Sequence, residues 1–442
     1  MSQQRLLPID PLFDPPPGWL AASLPEYTAV TRSIMQLAGA AEDPASFDKA
    51  REQILRERWL ALTSVEPNET RFSIIVPVHN EEIALPSFLG ALLASEVPAD
   101  ADAAVIFIVN GSSDGSAQVI RNRLARIRPV MDTILPRSRV DLQRSATANQ
   151  FGLTESLRFL VVETPVPGKA NALNIGNEIA RAFGHEMAMN IDANNWVEPD
   201  SLARLYSCAH RHINRGAYPN TVIVNAGEFY ADRRSTAPVT ASPRVQKAEV
   251  TGWMFAWSTQ WIHDCGGFPQ GVIEDYGAGL LALSQGRQIA ESGARIWGYA
   301  AANPFEESQQ MVRFLYGAMQ LSRHFSSDPN AMKILLEDFP NLRPLMGRFE
   351  HHFLRKFKAG RPITLARGLI RWLRNEILAL RARQKLYRDP NGQTWEPVYS
   401  TKFGLSAAER LPTESFVARM GYALAGKILI YFDNLFDFLD RF

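Results

Sequence analysis

The sequence predicts an α/β protein built on a mostly parallel β-sheet. Short β-rich runs alternate with helical patterns, and this alternation is typical of a parallel sheet with helices on both faces. The apolar runs are short and rich in Val, Ile and Phe, as expected of buried strands. The predicted strands are residues 72–78, 104–109, 157–163, 186–192 and 221–227, and the predicted helices are Glu81–Ser95, Asp114–Arg126, Lys169–Phe183 and Pro199–His212.

Helical regions flank this α/β pattern on both sides. Residues 1–70 begin with a Pro-rich stretch, followed by a predicted helix from Ser46 to Thr63. Residues 326–442 have a helical pattern throughout. We therefore predict an N-terminal helical extension over 1–70, an α/β domain over 71–325 and a C-terminal helical region over 326–442.

Composition excludes several classes of protein. Hydrophobic residues make up 46% and charged residues 21% of the 442 residues, which excludes a disordered chain. Cys208 and Cys265 are too few for a disulfide framework or a cysteine zinc site. We see no signal peptide and no apolar stretch of the roughly 18 residues that a membrane span needs. We expect a cytoplasmic protein.

The C-terminal region contains a strongly basic segment. Between Arg343 and Arg388 there are 13 Lys and Arg residues and two acidic residues, although the whole chain carries only +1. Three interpretations stay open: a solvated helix packed on the α/β domain, a peripheral contact with an anionic membrane, or attraction of an anionic lipid- or phosphate-linked molecule. A nucleic-acid partner is not expected, because no recognised binding module is present. The predicted apolar stripe of this segment is Ile370, Leu373, Ile377 and Leu380.

Polar turns follow the first two predicted strands. Residues 77–82 read PVHNEE, and residues 109–116 read VNGSSDGS. Ligands of open α/β sheets bind beyond the carboxyl ends of the strands, so both turns are candidates for holding a nucleotide. The alternative is plain turn chemistry, since Gly, Ser, Asn and Asp all favour tight turns.

Charged side chains follow the later strands. Lys169 opens a helix, where backbone N–H groups already favour an anion such as phosphate. Asp192 and Asn194 follow the fourth strand and can both reach one hard cation. Glu274 and Asp275 open a further helix, either as N-terminal capping groups or as a general base.

These motifs, in this order and spacing, resemble those of the family 2 glycosyltransferases, which have the GT-A fold. The resemblance covers roughly residues 71–325 and includes a QMVRF segment, similar to the QxxRW motif of processive synthases, with Phe314 replacing Trp. It implies a nucleotide-diphosphate-sugar donor, a hydroxyl acceptor and Mn²⁺ or Mg²⁺ as cofactor. Because the membrane helices of the processive synthases are absent, we expect transfer of one sugar.

The resemblance also assigns roles to individual residues. Asp275 matches the base of the ED motif, beside Glu274, and such a base predicts inversion at the anomeric carbon, although a retaining relative stays open. The donor is predicted to contact Pro77, His79, Asn80, Glu82, Asn110, Ser112, Lys169, Asn171 and Asp192. Substrate binding is assigned to Trp253, Gln310, Arg313 and Phe314. The cation is assigned to Asp192, Asn194 and His324, with an ordinary surface or core histidine as the alternative interpretation of His324.

Two departures from the family pattern support a rival interpretation. Val109 and Asn110 stand where the family has two aspartates, and Asn194 replaces the second aspartate of the metal motif. The rival is a catalytically inactive domain that binds a nucleotide-sugar or acts as a scaffold. A nucleotidyltransferase is a weaker alternative, because no Gly-rich, basic signature follows Val76.

Overall fold

The computed structural model describes residues 44–93, 95, 97, 101–124, 130–134, 157–214, 220–230, 250, 252–299, 304–339, 342, 376–390 and 392. The chain divides into two compact units, one comprising Met1–Gln270 and Glu274–Ala300 and the other Gly271–Ile273 and Ala301–Phe442. The second unit contains the helix with the QMVRF segment, which was expected in the catalytic domain. The domain boundaries at residues 70 and 325 remain predictions.

The described residues of the first unit form a nine-stranded sheet flanked by helices. Its helices are α1 (Pro44–Thr63), α2 (Leu85–Leu93), α3 (Ser116–Leu124), α4 (Lys169–Ala182), α5 (Ser201–Ala209), α6 (Thr259–Asp264) and α7 (Glu274–Ser284). Its strands are β1 (Arg71–Val78), β2 (Asp102–Asn110), β3 (Val130–Ile134), β4 (Leu157–Thr164), β5 (Met187–Ile191), β6 (Trp196–Val197), β7 (Thr221–Tyr230), β8 (Met254–Ser258) and β9 (Gln288–Gly298).

The sheet order is β3-β4-β2-β1-β5-β8-β7-β9-β6. Strands β3, β4, β2, β1 and β5 pair in parallel, and so do β7 and β9. Strand β8 runs antiparallel to both of its neighbours, and β6 runs antiparallel to β9. The predicted α/β class with a mostly parallel sheet is confirmed. All five predicted strands occur, whereas β3, β6, β8 and β9 were not predicted.

The core lies on both faces of the sheet. Successive residues of β1 enter different apolar clusters, with Ile74 on one face and Ile75 on the other. This alternation is a consequence of the two-residue period of a strand. Gly176 of α4 packs on Ile75 so closely that a Cβ atom would lie 2.5 Å from the Ile75 Cγ2 atom. This contact fixes the position of α4 on β1, and therefore the position of the N-terminus of α4 relative to the strand ends.

The N-terminal helix α1 packs on the sheet through Trp59. This side chain is fully buried and stacks on Phe72 of β1, with ring centroids 6.0 Å apart. It also contacts Tyr206 of α5, and its indole N–H donates to the Thr70 hydroxyl at 3.1 Å. Helix α1 is therefore an integral part of the first unit.

The second unit contains three described helices, namely α8 (Pro304–His324), α9 (Pro329–Asp338) and α10 (376–388). The Tyr316 hydroxyl of α8 donates to the Asp389 carbonyl at 2.6 Å, just beyond α10. The Asp328 carboxylate caps α9 by accepting from the backbone of Asn330 and Ala331. The Tyr316 bond therefore ties α8 to the end of α10, and the Asp328 cap fixes where α9 begins.

The predicted apolar stripe of the basic segment is wrong where it can be checked. Ile377 and Leu380 are 52% and 59% exposed. Helix α10 instead buries a neighbouring face, which consists of Leu378, Ala379, Ala382 and Leu386. Ile370 and Leu373, with the whole of 343–375 and of 424–442, lie outside the described residues. In the part of the chain that is described, no helix has the length and apolar character of a membrane span.

Truncation of Trp59 tests the packing of α1. We expect Trp59→Ala to lower the free energy of unfolding by about 3–5 kcal/mol, because it leaves a cavity against Phe72 and Tyr206. Urea denaturation followed by circular dichroism measures this difference. Leu60→Ala is the matched control, since Leu60 is the next residue and is 40% exposed. Equal, small effects of both substitutions would contradict the role assigned to Trp59.

Candidate functional site

Hydrogen bonds join the polar turns after β1 and β2. The Asn80 N–H donates to the Ser112 hydroxyl at 3.1 Å, and the Ser113 N–H donates to the Asn80 side-chain oxygen at 2.8 Å. The Glu81 N–H donates to the Ser116 hydroxyl at 2.8 Å. Asn80 has a positive φ of 55°, a conformation that Asn tolerates better than most residues. The two turns are therefore held to each other by hydrogen bonds.

His79 and Glu82 make further contacts between the same two turns. The Nδ1 atom of His79 lies 2.8 Å from the Asn110 carbonyl oxygen. Because a carbonyl oxygen only accepts, Nδ1 carries the proton in this contact. The Glu82 carboxylate accepts from the Gly115 N–H at 3.0 Å, and the Glu82 N–H donates to Asp114. The two turns thus bring together five residues that were predicted to contact a nucleotide-sugar, namely His79, Asn80, Glu82, Asn110 and Ser112.

The ammonium group of Lys169 lies among three oxygen atoms. Its Nζ atom is 2.7 Å from Oδ1 of Asp192, 2.6 Å from the carbonyl oxygen of Gly252 and 3.3 Å from Oε1 of Glu274. Asp192 directly follows β5, Gly252 lies two residues before β8, and Glu274 is the first residue of α7. The Asn190 amide nitrogen also donates to Asp192 and to the Gly252 carbonyl. One lysine therefore joins three distant segments.

Glu274 and Asp275 differ in exposure, although they are neighbours. Glu274 is 2% exposed and faces Lys169, whereas Asp275 is half-buried. Asp275 Oδ1 accepts from the Tyr276 N–H at 2.7 Å in the first turn of α7, where the helix dipole favours a carboxylate. Its other oxygen lies against Gly252, where a Cβ atom would overlap it. Of the two, Asp275 is the carboxylate that an added molecule can reach.

Glu228 is a member of the cluster that was not predicted from the sequence. It lies near the end of β7, and its carboxyl group accepts from the Trp253 N–H at 3.4 Å. Burial raises the pKa of Glu228 to about 8, with further contributions from Asp275 and Asp192. Glu228 is therefore mostly protonated at neutral pH. Its sequence neighbourhood is an ordinary strand and gives no signal of this position.

The pKa values of Lys169 and Asp192 depend on their burial and on the charges of their neighbours. Burial alone would lower the pKa of Lys169, but the carboxylates of Asp192, Glu274 and Asp275 raise it well above its ordinary value. Burial raises the pKa of Asp192, and the Lys169 ammonium opposes that shift. Lys169 therefore stays protonated and charged in this environment.

The oxygen atoms around Lys169 fit a divalent cation. Two carboxylates and a carbonyl are the ligands that hard cations such as Mg²⁺ and Mn²⁺ prefer. The buried side-chain oxygen of Asn190, on the amide that donates to Asp192, has no hydrogen-bond partner among the described residues. Those residues include no group of three His, Cys, Asp or Glu side chains suited to a metal, so further ligands would be carbonyl, amide, water or substrate oxygens.

Other predicted site residues have different surroundings. The Asn171 amide donates to the Val166 carbonyl at 3.0 Å and closes the turn before α4. Pro77 and Trp253 are half-buried at the end of β1 and just before β8, and Asn194 is half-buried after β5. The Trp253 carbonyl accepts from the Asp192 N–H at 2.9 Å and so positions that carboxylate.

The remaining predicted residues belong to the second unit. The Arg313 guanidinium donates to the Val272 carbonyl from Nε at 3.3 Å and from Nη2 at 3.1 Å. Phe314 is 44% exposed on α8, and Gln310 is half-buried. His324 is exposed and packs edge-on against Phe325. The roles assigned to these residues in substrate and metal binding remain predictions.

Comparisons with known proteins give structural likenesses only. No protein-family model and no curated protein sequence matches the chain. The Mn²⁺ and GDP-Man complex of the mannosyltransferase PcManGT from Pyrobaculum calidifontis matches over 84% of this chain and 99% of its own, with 16% identity and a TM-score of 0.43. TarS 1-349 from S. aureus, in complex with UDP-GlcNAc, matches over 74% and 94%, with 15% identity and a TM-score of 0.36. Likenesses this distant assign no activity, so a function has to be inferred from the residues of this chain.

The buried carboxyl group of Glu228 predicts a pH-dependent stability. Its pKa rises from 4.5 to about 8 on folding, so the folded state holds this proton more tightly and loses stability as pH rises between those values. Glu228→Gln removes the titrating group. We expect the melting temperature of this variant to exceed that of wild type at pH 9. At pH 5 the difference between the two should be smaller.

Differential scanning fluorimetry at the two pH values measures this difference. Glu69→Gln, at an exposed glutamate in the same unit, serves as the matched control. A gain in Glu228→Gln that is equal at pH 5 and pH 9 would contradict the assignment.

Proposed function

We propose that the protein is a glycosyltransferase that moves one sugar from a nucleotide-diphosphate sugar to a hydroxyl acceptor. The observation that carries this proposal is the convergence of Asp192 and Glu274 on the Lys169 ammonium, with Asp275 against Gly252 in the same cluster. The cross-linked turns that follow β1 and β2 stand at the carboxyl ends of the same sheet. Such a cluster supplies what glycosyl transfer requires, namely an accessible carboxylate base and acidic groups that can hold a cation.

Asp275 is the proposed base. It is accessible, whereas Glu274 is buried against Lys169. In the reaction, the acceptor hydroxyl loses its proton to the Asp275 carboxylate, and its oxygen bonds to the anomeric carbon. The bond from that carbon to the diphosphate oxygen breaks, and the electron pair leaves with the diphosphate. A single in-line displacement of this kind inverts the anomeric centre.

The two cross-linked turns are the proposed site for the nucleoside. Their backbone is held by the bonds among Asn80, Ser112 and Ser113, so little conformational freedom is lost when a ligand binds. His79, with its Nδ1 proton donated to the Asn110 carbonyl, has Nε2 as the second polar atom of its ring. This nitrogen accepts a hydrogen bond when the ring is neutral.

A divalent cation, Mn²⁺ or Mg²⁺, is part of the proposal. When bound, it supplies neutralisation of the negative charge that develops on the departing diphosphate. Asp192 is the proposed principal ligand, and the family pattern adds Asn194. The protein's own contribution is to hold Asp192 through the Trp253 carbonyl and the Asn190 amide.

Donor hydrolysis tests the proposal. Nucleotide release from UDP-, GDP- and dTDP-sugars is measured with Mn²⁺ or Mg²⁺ for wild type, Asp192→Asn and Asp275→Asn. We expect wild type to hydrolyse one donor slowly and Asp192→Asn to lose this activity. With an acceptor present, Asp275→Asn should lose about 10²–10⁴-fold in transfer rate, the contribution typical of a general base.

Asp264→Asn is the matched control, because Asp264 is an exposed aspartate at the end of α6. It should retain wild-type rates. No turnover with any donor, but thermal stabilisation by one nucleotide-sugar, would favour the inactive binding protein instead. Retention of the anomeric configuration, measured by NMR of the product, would remove Asp275 from the role of base.

A further inference from the structure

The Lys169 ammonium occupies a position built for a cation. Asp192 Oδ1, the Gly252 carbonyl oxygen and Glu274 Oε1 all lie within 3.3 Å of its Nζ atom. We call these three oxygens the oxygen cage. Each belongs to a different segment, and none of them is a neighbour of Lys169 in sequence. Two carboxylates around one site are the usual protein contribution to a hard divalent cation.

The charge of the cluster favours a divalent cation over the lysine during the reaction. Asp192, Glu274 and Asp275 carry three carboxyl groups, whereas Lys169 supplies one positive charge among them. A nucleotide's diphosphate adds further negative charge, and like charges at short range in a partly buried site repel strongly. A divalent cation at the oxygen cage offsets more of this charge than the ammonium does.

Lys169 also has a route out of the oxygen cage. Its side chain is 20% exposed, and that of Asp192 is 23% exposed, so both reach the surface. Lysine is a flexible point charge whose donors reorient readily. It stands at the first position of α4, whose N-terminal end attracts anions. An ammonium released from the cage therefore stays beside the place where a phosphate would bind.

We propose that Lys169 is an exchangeable cation, which a divalent ion displaces from the oxygen cage so that the ammonium turns to the diphosphate of the donor. This proposal rests on the proposed function for its second step. The first step concerns the metal alone and needs no nucleotide. Glu274 and the Gly252 carbonyl become ligands together with Asp192, which extends the ligand set predicted from the sequence.

Direct Mn²⁺ titration tests the exchange without nucleotide. Electron paramagnetic resonance of free Mn²⁺ measures the affinity of wild type, Lys169→Met and Lys333→Met. Because Lys169→Met removes the competing charge-assisted bonds, we expect it to bind Mn²⁺ at least about tenfold more tightly than wild type. Lys333 is exposed on α9, so Lys333→Met controls for net charge and should match wild type. Unchanged or weaker Mn²⁺ binding by Lys169→Met would overturn the proposal.

A second measurement uses wild-type protein. It distinguishes Mn²⁺ that displaces Lys169 from the oxygen cage from Mn²⁺ that only binds near it. Trace acetylation with acetic anhydride, followed by mass spectrometry, reports how reactive each lysine is. Displacement frees the Lys169 amine from its carboxylate partners, so Mn²⁺ should raise labelling of Lys169 several-fold relative to Lys333. Labelling of Lys169 that falls or stays constant at saturating Mn²⁺ would overturn the exchange, because the lysine would still occupy the cage.

These outcomes separate the exchange from the proposed function. Mn²⁺ that displaces Lys169 in a protein without activity towards any nucleotide-sugar would support the exchange of cations and contradict glycosyl transfer. Donor hydrolysis that persists in excess chelator, with no Mn²⁺ bound by wild type or Lys169→Met, would overturn the exchange and leave the transferase assignment in place.

Discussion

The organisation of the site depends on the ion pair between Lys169 and Asp192. Together with the bonds to Gly252 and Glu274, it connects the start of α4, the end of β5, the approach to β8 and the start of α7. A partly buried carboxylate without a partner is costly, so these segments are held where their charges are satisfied. Glu228 avoids the same cost by remaining protonated at neutral pH.

The sheet places those charges at one edge. Parallel pairing of β1, β2 and β5 brings their carboxyl ends together, and the register is enforced by cores on both faces. Close packing of Gly176 on Ile75 sets the height of α4 against β1, and hence the position of Lys169. The antiparallel strand β8 then brings Gly252 and Trp253 back to the same edge.

The sequence was informative where local chemistry determines structure. The buried parallel strands are apolar runs, and Lys169, Asp192 and Asp275 lie at element ends, so the α/β class and these charged positions were predictable. Strand β9 was missed because its residues mix apolar types with charged and small ones, which leaves no continuous apolar run. Glu228 was missed because its environment comes from the distant Trp253 backbone, and a pattern within one strand carries no information on that contact.

Hydrogen exchange with bound nucleotide tests most directly whether this edge of the sheet is a nucleotide site. The protein is incubated with UDP, GDP or dTDP in the presence of Mn²⁺, and amide exchange is followed by mass spectrometry. We predict that one nucleoside diphosphate slows exchange in residues 79–82, 110–116 and 192–195. Protection confined to other segments, or no protection by any of the three nucleotides, would contradict a nucleotide site at this edge.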